Sequence, residues 1–129
     1  MSASHPPHAE KPEQGSRWLF FRTSAEGRPV FRKELDKLPD QAVAALIVLM
    51  DQYVAGQLAT HNLKPIRDDI YELRWRQGNN HFRVLFFRWG PHPVALTAFQ
   101  KKQQKTPKTR IITAFERQKI WIKAFGEAP

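Results

Sequence analysis

The spacing of apolar residues divides the chain into a helical first half and a strand-rich second half. Apolar side chains recur at helical spacing over residues 30–38 and again from about residue 40 to residue 57, and Pro39 separates the two patterns. From residue 69 to residue 76 apolar and polar residues alternate, which is the period of a strand with one buried face. The pattern therefore predicts two consecutive helices followed by the beginning of a sheet.

Further strands and a last helix follow. Residues 81–89 are almost continuously apolar, as in a central strand covered on both faces, and residues 94–99 form the next strand. The intervening stretches, residues 77–80 and 90–93, are rich in Gly, Asn and Pro and predict turns. The dipeptide Thr106-Pro107 suits the cap and the first position of a final helix.

A short aromatic run at residues 17–23 predicts one more strand, so the elements occur in the order β-α-α-β-β-β-α. Two successive hairpins predict a small antiparallel sheet, and helices packed on one side of it give an α+β fold. We expect this single domain to span residues 17–125. Residues 1–16, which are rich in proline and poor in apolar side chains, are expected to form a disordered leader, and residues 126–129 a C-terminal tail.

The charge of the chain is strongly positive and unevenly distributed. Lys and Arg number 21 against 12 Asp and Glu, a formal net charge of +9. Residues 66–129 hold 13 of those basic residues and only 5 acidic ones. A positive charge concentrated in one half of the chain favours binding of a polyanionic partner, although small proteins can also be basic for solubility alone.

Several functional classes are disfavoured by what the sequence lacks. Cysteine is absent, which excludes disulfides and thiolate chemistry and makes a structural zinc site improbable. No apolar run reaches the roughly 20 residues of a membrane-spanning helix, and no secretory signal is recognisable. We therefore expect a cytoplasmic protein that binds neither a metal nor a membrane.

The hairpin between the first two of the late strands carries the first candidate site. If Arg76 and His81 flank its turn, antiparallel pairing places Arg74 opposite Arg83 on one face. Like charges directly opposed across a ladder are destabilising, so an anion bound there would offset their repulsion. Two alternatives remain: carboxylates such as that of Glu72 neutralise the arginines, or the register slips by one residue and sends one arginine to the other face.

A second basic cluster connects the last strand to the last helix. Residues 101–110 contain five positive charges and no negative one, and they lead into a helix N-terminus, whose free amides and dipole also favour anions. Gln103 and Gln104 could donate hydrogen bonds to RNA. Trp75 could stack on a base, although packing in the core is the commoner role of such a residue. We expect this cluster to lie near the mouth of the arginine hairpin.

Residue types suited to catalysis are few. The sequence has no zinc-protease motif and no phosphate-binding glycine loop, and the histidines within the predicted domain are His61, His81 and His92. Metal-free cleavage of RNA fits this inventory because RNA supplies its own nucleophile, the 2′-OH. The protein then needs to align the backbone, move protons and stabilise the extra charge on the phosphate, for which arginine, lysine and histidine suffice.

Three motifs give a more specific indication. The stretches Asp69–Arg74 (DIYELR), His81–Phe86 (HFRVLF) and Ala98–Pro107 (AFQKKQQKTP), in this order, resemble HigB-type toxins of the phage Gp49-like branch of the RelE/ParE superfamily. Within that branch they are most similar to HigB toxins from toxin–antitoxin–chaperone operons. The resemblance implies a RelE/ParE-like fold and a ribosome-associated mRNA endonuclease that needs no cofactor. It also implies a HigA-type helix-turn-helix antitoxin as partner and, indirectly, a SecB-like chaperone.

The resemblance assigns roles to individual residues. The family's strand arginines hold phosphate and stabilise the transition state, and the lysine after the last strand is the candidate for proton transfer. The catalytic residues that the resemblance implies are Arg74, Arg83 and Lys101, and His81 is added to them as a candidate from this sequence. The RNA-binding residues expected around them are Arg76, Lys102, Gln104, Lys105, Lys108 and Arg110.

One departure from the superfamily pattern concerns the general acid. Some members place a tyrosine or histidine near the C-terminus, where this chain has Trp121 and Phe125, so His81 or Arg83 would have to take that role. Two other functions remain as alternatives: a ParE-like toxin that binds DNA gyrase without cutting RNA, and a non-catalytic nucleic-acid-binding module.

Overall fold

The computed structural model describes residues 16–102 and 105–129, which fold into one five-stranded sheet with helices packed against it. In chain order the elements are β1 (Leu19–Phe20), α1 (Val30–Asp36), α2 (Asp40–Ala55), a 3₁₀ turn (Thr60–Asn62), β2 (Leu63–Arg67), β3 (Ile70–Gln77), β4 (Asn80–Trp89), β5 (His92–Lys101) and α3 (Lys108–Phe125). The strands lie side by side in the order β1-β5-β4-β3-β2. The predicted α+β class is confirmed.

Helix α2 shows why the helical pattern was readable from sequence. Leu46, Met50 and Tyr53 lie on successive turns of one face and are all buried. The helix ends at Gly56, whose φ of 72° is left-handed and lets its backbone N–H bond back to the last turn. A local period and a local stop signal were therefore sufficient to predict this helix.

The β3–β4 hairpin is tighter than the predicted four-residue turn. Only Gly78 and Asn79 connect the strands, and Gly78 has a φ of 60°, as two-residue hairpin turns require. Gln77 and Asn80 extend the ladder by one pair, and the next pair is Arg76 with His81. Because the turn shortens symmetrically, the predicted register is preserved.

The sheet is mixed, whereas a purely antiparallel sheet was expected. Strand β1 pairs in parallel with β5, Leu19 lying beside Val94. Strand β2, which was not predicted, pairs antiparallel with β3 at the opposite edge. Its five residues include Pro65 and two basic side chains and lack an alternating pattern, features that are common in edge strands and that hide them from sequence analysis.

The expectation that all helices pack on one side of the sheet is wrong. Phe86 of β4 contacts the ring of Tyr53 on α2, whereas Trp89 of the same strand contacts the ring of Trp121 on α3. Residues three apart in a strand point to opposite faces, so α2 and α3 cover opposite faces of the sheet. Both faces of β4 are thus buried, which explains its continuous apolar run.

The described residues bear on two further expectations, the absence of a membrane-spanning helix and the disordered leader. In residues 16–102 and 105–129, no helix has the length and apolar character needed to cross a membrane. The predicted leader lies outside the described residues except for Ser16.

Candidate functional site

The register of the three long strands aligns the predicted site residues in two rows. Arg74 of β3 lies directly opposite Arg83 of β4, as the turn predicted. In the next row towards the turn, His81 of β4 lies opposite both Arg76 of β3 and Lys101 of β5. Directly opposed residues point to the same face, so these five side chains share the face of the sheet on which α3 packs.

An open cleft lies at the hairpin end of the sheet, along β3. Its volume is about 420 Å³, and its walls come from β3, β4 and the 3₁₀ turn before β2. The lining residues are His61, Asn62, Arg74, Trp75, Arg76 and His81.

Hydrogen bonds to the backbone hold two walls of the cleft in place. Asn62 Nδ2 donates to the carbonyl oxygen of Arg74 at 2.9 Å, which ties the 3₁₀ turn to β3. Arg76 Nε donates to the carbonyl oxygen of Gly78 at 2.7 Å, which orients its guanidinium along the hairpin. The cleft is therefore bounded by side chains whose backbones are fixed relative to one another.

Arg83 lies beneath the surface of the same face. Its side chain is only 1% exposed, and its NH1 donates to the hydroxyl of Thr106 at 2.9 Å and lies 3.5 Å from a carboxylate oxygen of the fully buried Glu72. The Thr106 hydroxyl in turn donates a short hydrogen bond to the same carboxylate oxygen. The other carboxylate oxygen lies 3.7 Å from Arg74 Nε. Glu72 therefore lies between the two arginines and neutralises their charge. This arrangement is one of the two alternatives that the sequence left open.

The electrostatics of the cleft act on His81. Burial, reinforced by the positive charges of Arg83, Arg76 and Arg74, lowers the pKa of His81 below its ordinary value. Its imidazole is consequently neutral at neutral pH and has a lone pair available to accept a proton. Burial also lowers the pKa of Arg83, while the carboxylate of Glu72 opposes that shift. The Arg83 guanidinium stays charged because arginine titrates so far above neutral pH.

The start of α3 differs from the expectation. The helix begins at Lys108, Pro107 occupies the cap position, and no side chain caps the helix. Thr106, expected as the cap, instead uses its hydroxyl for Glu72 and Arg83 across 34 and 23 residues of sequence. These two contacts attach the end of the basic connection between β5 and α3, residues 101–110, to the sheet.

The basic connection itself places its cations in different surroundings. Lys102, Lys105 and Lys108 are exposed. Arg110 is held between Thr97, at 3.3 Å, and the carboxylate of Glu34, at 3.8 Å, and it lies over the ring of Phe99. Gln104, the remaining predicted RNA-binding residue, lies outside the described residues.

The sequence predicted most of the site but missed three of its parts. Arg74, Arg76 and His81 line the cleft, Lys101 lies opposite His81 in the ladder, and Arg83 is buried. The parts assigned no role in the site beforehand are His61, Asn62 and Thr106, whereas Glu72 was named as a possible partner of the arginines. Glu72 had a visible signal, since it lies two residues before Arg74 and therefore on the same face of β3.

Two further observations concern metal-binding groups and groups that can transfer a proton. In the described part of the chain, no three His, Cys, Asp or Glu side chains are grouped so that they could hold a metal ion. Trp121 is buried and packs its ring on that of Phe125, 4.2 Å between centroids, and neither side chain carries a group that can shuttle a proton. The histidine that lies on the sheet beside the arginines, His81, is one group of the cleft that can transfer a proton.

The sheet of this small basic α+β protein brings guanidinium and imidazole groups together around an open cleft, and such groups can bind anions such as the phosphates of a sugar–phosphate backbone. Comparison with known proteins gives the family. The model "Phage derived protein Gp49-like (DUF891)" matches residues 33–119, and the chain belongs to this family. The resemblance inferred from the three sequence motifs is thus confirmed.

The chain is also similar to individual proteins. The chain is 71% identical over 112 residues to proteins named "Probable endoribonuclease HigB1" from the CDC 1551 / Oshkosh and H37Rv strains of Mycobacterium tuberculosis, with 87% of this chain and 90% of the relative covered. Among solved structures, a chain of the toxin–antitoxin complex RelBE2 from Mycobacterium tuberculosis aligns with 68% of this chain and 93% of its own length, at 19% identity and a TM-score of 0.46.

Proposed function

We propose that this protein is the toxin of a type II toxin–antitoxin pair and that it inhibits translation by cutting mRNA on the ribosome. The name of its 71% identical relatives, probable endoribonuclease HigB1, supports this reaction. The observation that carries the proposal is the cleft, in which a neutral histidine, His81, lies beside Arg74 and Arg76, while Lys101 lies opposite His81 in the ladder. Together these residues provide a base beside an anion site.

Phosphate binding falls to the two arginines that line the cleft. Arg74 is 28% exposed, so its guanidinium is partly desolvated yet reachable, and Arg76 is exposed on the adjacent row. Planar guanidiniums match the non-bridging oxygens of a phosphodiester and stabilise the additional charge that develops there in the transition state. Lys101 adds an ammonium on the β5 side of His81.

Cleavage needs no external nucleophile in this scheme. His81 accepts the proton of the ribose 2′-OH, the 2′-oxygen attacks phosphorus, and the bond from phosphorus to the 5′-oxygen breaks. The products are a 2′,3′-cyclic phosphate and a free 5′-OH. A neutral base fits the lowered pKa of His81, because a protonated imidazole could not accept the proton.

Arg83 acts differently from the other predicted catalytic residues in this proposal. Its guanidinium is buried under Thr106, so we assign it a positioning role through Glu72 and Thr106 rather than contact with RNA. Its buried positive charge also contributes to the field that keeps His81 neutral.

The exposed basic connection extends the RNA-binding surface. Lys102, Lys105 and Lys108 would contact phosphates outside the cleft, with Gln104 and Arg110 as further donors. Such contacts carry little sequence information and position the substrate.

The partners follow from the family resemblance. We propose mRNA on the ribosome as substrate and a HigA-type helix-turn-helix antitoxin as inhibitor, with a SecB-like chaperone acting indirectly through that antitoxin. A protein that cuts translated mRNA would act in the cytoplasm.

Mapping of mRNA 5′ ends after induction of the protein tests the proposal. We expect growth arrest with new 5′ ends inside translated codons, and loss of both for Lys101→Ala. Lys123→Ala, which removes an exposed lysine near the other end of α3, is the matched control and should remain toxic. DNA breaks without new mRNA ends would indicate gyrase poisoning, and arrest with neither would indicate a non-catalytic nucleic-acid-binding module.

A further inference from the structure

The cleft contains a second histidine, His61, that has no role in the mechanism proposed above. We propose that His61 is the general acid of the reaction, donating a proton to the leaving 5′-oxygen while His81 accepts the proton of the 2′-OH. This inference rests on the proposed RNA cleavage and completes it, because no group has yet been assigned to the leaving oxygen.

The two histidines approach the same stretch of β3 from opposite sides. His81 lies on β4, directly opposite Arg76. His61 lies in the 3₁₀ turn that leads into β2, on the other side of β3, and both side chains line the cleft together with Arg74 and Arg76. Neighbouring strands are spaced about 4.8 Å apart, so the two backbones are separated by roughly 10 Å. A phosphodiester seated on the arginines between them therefore lies within reach of both rings.

The position of His61 is fixed by its neighbour. Asn62 Nδ2 donates to the carbonyl oxygen of Arg74 at 2.9 Å, and the backbone N–H of Asn62 bonds to the carbonyl of Ala59 at 3.0 Å. The first bond joins the turn to the residue that we assign to phosphate binding. His61 is thus held at a set distance from the anion site although its own side chain is exposed.

The two rings differ in the way that the acid and base roles require. His81 is buried among positive charges, which favours its neutral form. The side chain of His61 is exposed to solvent, so water can resupply a proton that its ring gives up. Because P–O5′ cleavage requires one proton and O2′ attack releases one, the pair balances the reaction without a further reactant.

Other residues of the cleft are poorly suited to the donor role. Arginine gives up its proton too reluctantly to act as an acid near neutral pH, which excludes Arg74 and Arg76. Trp75 and Asn62 have no proton that titrates in this range. Lys101 is the remaining candidate for the donor, and the experiment separates it from His61.

A chemically altered substrate tests the assignment directly. Ribosomes are programmed with a short mRNA whose scissile 5′-oxygen is replaced by sulfur, and single-turnover cleavage is compared with that of the ordinary mRNA. A thiolate leaves without protonation, so a variant that lacks only the general acid recovers its rate on the sulfur substrate. The variants are His61→Ala, His81→Ala and Lys101→Ala, with His92→Ala as the control histidine at the far end of β5.

We expect His61→Ala to cut the ordinary mRNA about 100 to 10,000 times more slowly than the wild type, the usual range for loss of a general acid, and to approach the wild-type rate on the sulfur substrate. His81→Ala should stay slow on both substrates, and His92→Ala fast on both. The proposal is overturned if His61→Ala cuts the ordinary mRNA at the wild-type rate, if it is equally slow on both substrates, or if Lys101→Ala alone is rescued by sulfur. Failure of the wild type to cut either mRNA would instead refute the proposed function itself.

Discussion

Replacing Thr106 by valine tests the buried connection between the basic segment and the sheet. Valine has nearly the shape of threonine but no hydroxyl, so Thr106→Val removes the hydrogen bond from Arg83 NH1, 2.9 Å long, and the one donated to Glu72. All three side chains are at least nine-tenths buried, so water cannot readily replace the hydroxyl. The substitution therefore isolates the hydrogen bonds from packing.

The size of the effect follows from the charges involved. A hydrogen bond to a charged group contributes about 1.5–3 kcal/mol, and two such bonds are lost. The ion pair between Arg83 and Glu72, now 3.5 Å apart, remains and can tighten, so we expect a net loss of about 2–4 kcal/mol in the free energy of unfolding, against a typical total of about 5–15 kcal/mol. For a domain of this size that corresponds to a fall in Tm of roughly 10 °C.

Urea unfolding followed by tryptophan fluorescence measures this loss, and Thr106→Ser is the matched control. Serine keeps the hydroxyl and removes one methyl group, so its free energy of unfolding should stay within about 1 kcal/mol of the wild type. A Thr106→Val protein as stable as the wild type, or a Thr106→Ser protein as unstable as Thr106→Val, would show that the hydroxyl contributes nothing.

Three further predictions concern the pH dependence, the anion site and the ion pair between Arg117 in the middle of α3 and Glu34 on α1. The folded-state pKa of His81 lies below its ordinary value of 6.5, so the unfolded chain binds more protons between these two values. The stabilising contribution of His81 should therefore be complete above pH 6.5 and should decline as the pH falls towards the folded pKa. Urea midpoints measured across this range should fall with decreasing pH, and His81→Gln should reduce that slope. Arg74→Ala should slow mRNA cleavage about 100-fold or more while shifting the free energy of unfolding by less than about 1 kcal/mol, because its ion pair is partly exposed; equal losses of rate and stability would contradict a role in the transition state. Arg117, which is 18% exposed, donates to both oxygens of Glu34 at 2.9 Å, so Arg117→Met should cost about 1–3 kcal/mol in urea unfolding, and Glu34→Gln in the same chain should recover part of it.

The main elements of the fold were predictable because their signals are local. A helical period ending at Gly56 identifies α2, and the Gly-Asn turn between β3 and β4 sets the register of this hairpin. Once that register is known, the opposition of Arg74 and Arg83 follows without any further information. The face that carries the cleft was therefore implied by the sequence of a single hairpin.

The interior of the site was not predictable in the same way. Whether Arg83 binds a substrate anion or an internal carboxylate depends on Thr106, which lies 23 residues further along the chain. Sequence patterns indicated a cap residue at Thr106, because threonine before a helix usually has that role. Only packing of the chain across the sheet turns its hydroxyl towards Glu72.

By itself the sequence determined the helices, the hairpins, the basic character and the family, since these depend on periodicity, turn chemistry and short motifs within a few residues of one another. The tertiary structure decided which face α3 covers, which arginine is buried and that His61 joins His81 in one cleft. These depend on contacts between segments distant in sequence, and such contacts leave no periodic trace in the residues that make them.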